Sequence, residues 1–215
     1  MKQFEAIIFD MDGVIVDSEP LHKLAFEEVF HEMGYGETHG IDFPAYYGRS
    51  DLALWVDFIA LHKPSQSLTE LTAWKQDRFL AMIRRDRPLF REIPALVEKF
   101  AARFALAVAS GSDHRVIDAV LALDDLRRFF PTVSSVEDVP RGKPAPDVFL
   151  HAAEGLGVSP QACCVIEDSA AGVEAALAAG MSVIAITNSL PAEKLTRATR
   201  VVKTYAEIES LLTPE

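Results

Sequence analysis

From about Phe104 onward, the chain alternates short apolar runs rich in β-forming residues with stretches whose apolar residues recur at close to 3.6 positions. That alternation limits the fold more than any other feature. The runs are Phe104–Ala109, Thr132–Val136, Ala162–Ile166 and Ser182–Ile186, with Arg200–Val202 as a further short strand. Between them, Val116, Ile117, Val120 and Leu121 mark one helical face. Phe149, Ala152, Ala153 and Leu156 mark another, opening with Pro146 in its first turn and closing at Gly155 or Gly157. Strands separated by helices pair in parallel through right-handed crossovers, which predicts an α/β fold. Near the N-terminus, Glu5–Phe9 is another such run and fits a strand covered on both faces.

The stretch from Asp17 to Arg87 has a different texture. Helical patterns cover Pro20–Met33, Leu52–His62 and Leu68–Arg85, punctuated by Gly34-Tyr-Gly36 and Lys63-Pro64-Ser65. A helical block inserted after the first strand of a sheet reads as a small separate lobe. Its linkers fall near Val14–Ser18 and Arg85–Leu89. The expected division is therefore residues 1–16 with 86–215 as the α/β core, and residues 17–85 as the helical lobe. Trp55 and Trp74 are expected in the core of that lobe.

A chain of 215 residues can bury roughly 70% of the surface its unfolded form exposes, so it needs no disulfide or structural metal. The only two cysteines, Cys163 and Cys164, are adjacent within an apolar run and read as core strand residues of a reduced, cytoplasmic protein. The sequence has no signal-peptide pattern and no apolar run of about 18 residues, so no membrane association is expected. A formal net charge of −11 argues against nucleic-acid and anionic-lipid partners. It also means that an anionic substrate would need local positive charge to overcome a repulsive field.

The apolar run Glu5–Phe9 ends in Asp10-Met-Asp12-Gly13. In open α/β sheets, ligands bind beyond the carboxyl ends of such strands, so both acids stand where chemistry is expected. A carboxylate can act as a nucleophile on phosphorus when it is ionised and close to a cation. Asp10, coming directly off the strand, suits that role. Asp12 could protonate a leaving oxygen and then deprotonate water, and Gly13 permits a tight turn. A calcium loop of the EF-hand type is the competing reading. It needs acids at its first, third and fifth positions and Gly at the sixth, whereas here Gly is fourth and a strand leads in.

Val165-Ile-Glu167-Asp168-Ser169 repeats the pattern, an apolar run ending in two acids before a helix. If the two strand ends converge, four carboxylates meet. One pair of charges at 4 Å repels by about 4 kcal/mol at an effective dielectric of 20, so a dication or protons are required. Oxygen ligands of this kind suit Mg²⁺. The simpler reading is that Glu167 or Asp168 caps the following helix. Ser110-Gly111-Ser112-Asp113 offers a hydroxyl and free N–H groups at a helix start, which make an anion site, while Ser112 or Asp113 is equally a plain N-cap. Lys143, in the loop Arg141-Gly-Lys-Pro-Ala-Pro146, is held by the proline that follows it and would offset nucleophile and phosphate charge.

Together, Asp10-x-Asp12-Gly13-Val14, Ser110, Lys143-Pro-x-Pro-Asp-x-Phe149 and Glu167-Asp168-Ser169-x-x-Gly172 resemble the haloacid dehalogenase superfamily. The likeness covers essentially the whole chain. It is strongest to the branch with a helical cap after the first strand, which includes sugar phosphatases and β-phosphoglucomutase. The resemblance implies a Rossmann-like core with helices on both faces of a parallel sheet, the first strand central, and a small α-helical cap domain. It implies an aspartyl-phosphate on Asp10, acid/base work by Asp12, and Mg²⁺ held by Asp10, Asp168 and the Asp12 carbonyl, with Glu167 ligating directly or through water. Ser110, the Gly111 N–H and Lys143 would hold the phosphate. Asp12 argues against true dehalogenases, which lack that second acid.

In the lobe, His22 and Arg49 resemble positions that this branch turns toward the substrate. His31, His39, His62, His114 and His151 show no metal-ligand spacing and are assigned no role. The resulting expectation is a Mg²⁺-dependent phosphatase of a small phosphorylated metabolite, cytoplasmic, and a monomer or weak homo-oligomer. A phosphomutase is the alternative. A receiver-like module that merely takes phosphate on Asp10 would need neither Asp12 as an acid nor a helical lobe.

Overall fold

Every residue of Ala6–Phe9 (β1) is fully buried, because parallel strands on both sides and helices on both faces surround it. The computed structural model describes residues 4–46 and 51–213. The strands that follow are Ala105–Ala109 (β2), Thr132–Ser134 (β3), Cys163–Glu167 (β4), Ser182–Ile186 (β5) and Arg200–Val202 (β6). They form one sheet in the order β3-β2-β1-β4-β5-β6, with every pairing parallel. This is the α/β architecture the strand–helix alternation predicts, with β1 central.

The two-residue period of β1 divides its side chains between two cores. Ala6 and Ile8 face one way, packing with Val148 and Phe149 of Asp147–Leu156 (α6) and Val173 of Ala170–Ala178 (α7). Phe9 faces the other way. Its ring lies 6.4 Å from that of Phe100 in Ile93–Ala101 (α4) and 5.6 Å from that of Phe130. His114–Leu121 (α5) follows β2, and Tyr205–Leu212 (α8) closes the chain. The strand order reverses at β1, and the sheet opens a crevice at such a switch point, beyond the carboxyl ends of the strands.

Several boundaries differ from the sequence expectation for local reasons. The strand expected over Thr132–Val136 stops at Ser134. There Ser135 starts a capping box, its Oγ accepting from the Glu137 N–H while Asp138 accepts from the Ser135 N–H, and this turns the chain out of the sheet. Pro146 caps α6 rather than entering its first turn. Of the two candidate stops, Gly157 is the one in the left-handed conformation, at φ 68°. A side chain at Gly155 would instead meet Thr132. Helices α4 and α8 are amphipathic segments that the sequence reading did not name.

The chain divides into two compact units, Met1–Asp17 with Pro88–Glu215, and Ser18–Arg87. The second unit contains Glu19–Glu32 (α1), Asp51–His62 (α2) and Leu68–Asp86 (α3). Ser67 caps α3 reciprocally with Glu70, a Ser-x-x-Glu box visible in the sequence. The unit's core is aromatic. Trp55 is fully buried, with its ring 5.0 Å from Phe26 and 5.7 Å from Phe30, and Trp74 packs half-buried against the same cluster. Both cysteines lie buried and free in β4.

Candidate active site

Four chain segments meet at the carboxyl end of the sheet, each placed there by the strand or helix beside it. Asp10 follows β1, and its N–H is tied to the Ile166 carbonyl of β4 at 2.9 Å. Ser110 follows β2, its N–H bonded to the Ser134 carbonyl at 2.9 Å. Glu167 is the last residue of β4 and Asp168 the next. Lys143 reaches in from the loop before α6. Its Nζ donates to Asp10 Oδ1 and Glu167 Oε1, both at 2.6 Å, and lies 4.9 Å from the Phe149 ring centroid.

Carboxylate oxygens of Asp10, Glu167 and Asp168 all lie within 4.8 Å of one another, and all three residues are buried. The electrostatics follow from that crowding. Burial drives the Asp10 pKa well above the ordinary carboxylate range; Lys143 opposes this, and Glu167, Asp168 and Asp12 add to it. Burial, then Glu167, pushes Asp168 up to about 7. Burial works against the Lys143 ammonium, yet Asp10 and Glu167 more than reverse it and hold its pKa above the usual lysine value. One ammonium thus faces three carboxylates, and the cluster lacks positive charge. An all-oxygen, buried, electron-rich donor set of this kind fits Mg²⁺.

Glu167 is committed elsewhere as well. Its Oε2 accepts from the N–H groups of Asp168 and Ser169, both at 2.7 Å, and from Ser169 Oγ at 2.9 Å. Gly172 is required here, since a Cβ on it would come within 1.6 Å of Glu167 Oε1. The cap of α7 is Ser169, whose Oγ accepts from the Gly172 N–H at 3.0 Å. The simpler reading of Glu167 and Asp168 as that helix's caps therefore does not hold.

Asp12 lies two residues beyond Asp10. Its Oδ2 accepts from Ser112 Oγ at 3.0 Å, with Ser110 Oγ in longer contact at 3.5 Å. Ser110 Oγ in turn accepts from the Ser112 N–H at 3.0 Å. Of the two N-caps the sequence offers for the helix after this loop, Asp113 is the one used, accepting from the Val116 N–H at 2.9 Å, and Ser112 is left to Asp12. Gly111 is exposed, and the space its side chain would occupy is open.

The structure thus brings Asp10, Asp12, Ser110, Gly111, Lys143, Glu167 and Asp168 to one end of one sheet. His22 belongs to the helical unit, where its ring stacks on Phe79 at 4.0 Å and its Nδ1 lies 2.6 Å from Lys75 Nζ. Arg49 lies outside the described residues. The sequence reading missed three groups. Lys75 is 1% exposed in the middle of α3 and carries no local mark. Asn188 and Ser189 follow β5 and belong to this site's surroundings through Gly13 and Asp168.

Residues 4–180 match the family described as haloacid dehalogenase-like hydrolase. The chain is 32% identical to the fructose-1-phosphate phosphatase YqaB of Escherichia coli, over 85% of this chain and 96% of that one. It is 33% identical to hexitol phosphatase B of E. coli, over 98% and 94%. Among solved structures, β-phosphoglucomutase from Clostridium difficile aligns with a TM-score of 0.77 at 25% identity, covering 97% of this chain and 96% of that one.

Proposed function

The chain belongs to the haloacid dehalogenase-like hydrolases, and from that premise we propose that it is a Mg²⁺-dependent phosphatase of a small phosphomonoester, a sugar phosphate or phosphoglycolate-like metabolite. The observation that carries the reading is Asp10: a buried carboxylate at the end of the central strand, ion-paired to Lys143 and flanked by Glu167 and Asp168. The phosphatase names of two relatives support it, and two buried free thiols suit the cytoplasmic setting we propose.

In this proposal Asp10 Oδ attacks phosphorus, the ester P–O bond breaks, and Asp12 gives its proton to the leaving oxygen. Water then attacks phosphorus, giving one proton to Asp12, the P–O bond to Asp10 breaks, and phosphate leaves. Ser112 holds the Asp12 carboxyl in place for both transfers. Ser110 Oγ, the Gly111 N–H and Lys143 Nζ would bind phosphoryl oxygens. Asp10, Asp168 and the Asp12 carbonyl would hold Mg²⁺, with Glu167 ligating directly or through water. When bound, the ion would neutralise the carboxylate cluster and draw charge from the phosphoryl group. The helical unit is the proposed cap, with His22 and Arg49 as its candidates for the substrate's distal end.

The alternative is a phosphomutase, in which a sugar hydroxyl replaces water. It draws on the likeness to β-phosphoglucomutase and shares the first half-reaction. Phosphate release from a panel of sugar phosphates and phosphoglycolate, with Mg²⁺ and with excess EDTA, separates the two when run beside isomer analysis of β-glucose 1-phosphate. A phosphatase releases phosphate from a preferred compound and falls silent in EDTA; isomer conversion without release makes it a mutase. Asp10→Asn should lower turnover by about 10³-fold or more while keeping the fold. Activity within tenfold of wild type would remove Asp10 from the nucleophile role.

A further inference from the structure

The loop after β5 touches the cluster from a side the mechanism leaves unused. Ser189 Oγ donates to Asp168 Oδ2. Next to it, Asn188 Nδ2 donates to the Gly13 carbonyl at 2.7 Å and to Tyr205 Oη at 2.9 Å, and Tyr205 Oη donates to the Val14 carbonyl at 2.8 Å. Three side chains thus grip two consecutive carbonyls of the turn that follows Asp12, together with one oxygen of Asp168.

The turn and the carboxylate are in direct contact. Gly13 adopts φ 75°, and a Cβ there would fall 1.8 Å from Asp168 Oδ2 and 2.7 Å from Ser189 Oγ. Asp168 Oδ2 therefore sits between the backbone of Gly13 and the hydroxyl of Ser189. Tyr205 is largely buried, and its ring is braced by Phe90 with centroids 5.7 Å apart. Phe90 in turn donates its N–H to the Ile15 carbonyl at 3.1 Å. The grip on the turn is thus anchored in packed structure rather than in a loop alone.

We propose that Ser189 and Asn188 are positioning residues for the cation site, Ser189 by fixing the carboxylate of Asp168 and Asn188 by fixing the Gly13 carbonyl and so the backbone that carries Asp12. The proposal rests on the reading of Asp10, Asp12 and Asp168 as the Mg²⁺ ligands. Groups that orient ligating carboxylates are typically worth 10–100-fold in metal affinity or activity. Both residues sit on an exposed loop, so truncating them opens no hole in the core.

The test is isothermal titration calorimetry of Mg²⁺ alone into the full chain, with urea midpoints measured alongside. Ser189→Ala should weaken Mg²⁺ binding about tenfold or more with an unchanged urea midpoint, and Ser189→Thr, which keeps the hydroxyl, should recover most of the loss. Asn188→Ala should weaken Mg²⁺ binding in the same sense, and in both variants the loss of activity should recede at high Mg²⁺. Ser189→Ala and Asn188→Ala proteins that bind Mg²⁺ as wild type does would overturn the proposal alone. A wild-type chain that gives no Mg²⁺ binding would overturn the cation reading and the proposal with it.

Discussion

Each of the two units buries one lysine against aromatic rings and acids, and the two arrangements behave differently. In the α/β unit, Lys143 lies over Phe149 and bridges Asp10 and Glu167, whose side chains are 9% and 0% exposed. In the helical unit, Lys75 lies over Phe26 and Phe79, between His22 and Asp51. The Asp51 side chain is 38% exposed. The second cluster sets one ammonium against one water-accessible carboxylate, so its charge is balanced. The first, with Asp168 added, sets one ammonium against three buried carboxylates. A balanced cluster is architecture; an unbalanced one invites a ligand.

The largest effect should come from removing the lysine of the unbalanced cluster. Lys143→Met leaves Asp10 and Glu167 buried beside Asp168 with no cation, and breaking a buried pair from one side typically costs about 3–5 kcal/mol. Urea unfolding in EDTA at neutral pH should show a loss of that order, added Mg²⁺ should recover part of it, and turnover should be abolished. A Lys143→Met protein as stable as wild type in EDTA would mean that the carboxylates carry no uncompensated charge, and the comparison would break.

Lys75→Met should do much less. The methionine keeps most of the stem volume between Phe26 and Phe79, and Asp51, partly in water, needs no buried partner. Exchanging a buried charge for an apolar side chain is often close to neutral when the partner is not left stranded. Unfolding should therefore shift by about 1 kcal/mol or less, with Mg²⁺ affinity unchanged. A loss as large as that of Lys143→Met would show that Lys75 carries buried charge of the same kind.

The same contrast explains what the sequence revealed. Asp10, Ser110 and Glu167 were legible because each ends an apolar run, and strand ends in open α/β sheets point to one crevice. Lys143 was legible because proline and glycine mark its loop. Lys75 was not, since a lysine inside an amphipathic helix normally faces water, and its burial follows from how α1, α2 and α3 pack. Asn188, Ser189 and Tyr205 stayed hidden for a topological reason. Their contacts exist because β5 pairs with β4 and α8 reaches the turn after β1, and sheet order is not written in any local run. The division near Ser18 and Arg87 was suggested by texture alone, and α4 and α8 went unread although α5, which is as short, was legible from its periodicity.

The smallest effect belongs to an ion pair near the surface, and it tests whether burial rather than pairing sets the difference between the lysines. His114 Nε2 lies 2.9 Å from Asp138 Oδ1, with the His114 side chain 45% exposed. The hydrogen bond to Asp138, opposed by partial burial and aided by the charges of Asp138, Glu137 and Asp118, holds the His114 pKa above its ordinary value. A raised folded-state pKa stabilises fully below the unfolded value of about 6.5, and the contribution is lost as pH rises through the folded value. Being exposed, the pair should be worth no more than about 1 kcal/mol. In Asp138→Asn, NMR titration should find the His114 pKa moved down toward the ordinary value, with the variant less stable than wild type at mildly acid pH and the gap closing in alkaline solution. The pair also ends a hydrogen-bonded path, from Asp138 to the Ser135 N–H, from Ser135 Oγ to the Ser112 carbonyl at 2.8 Å, and from Ser112 Oγ to Asp12. If the stability gap stayed constant across pH, the loss would lie in the Ser135 cap rather than in the charge of His114, and burial could no longer be credited with separating strong pairs from weak ones in this molecule.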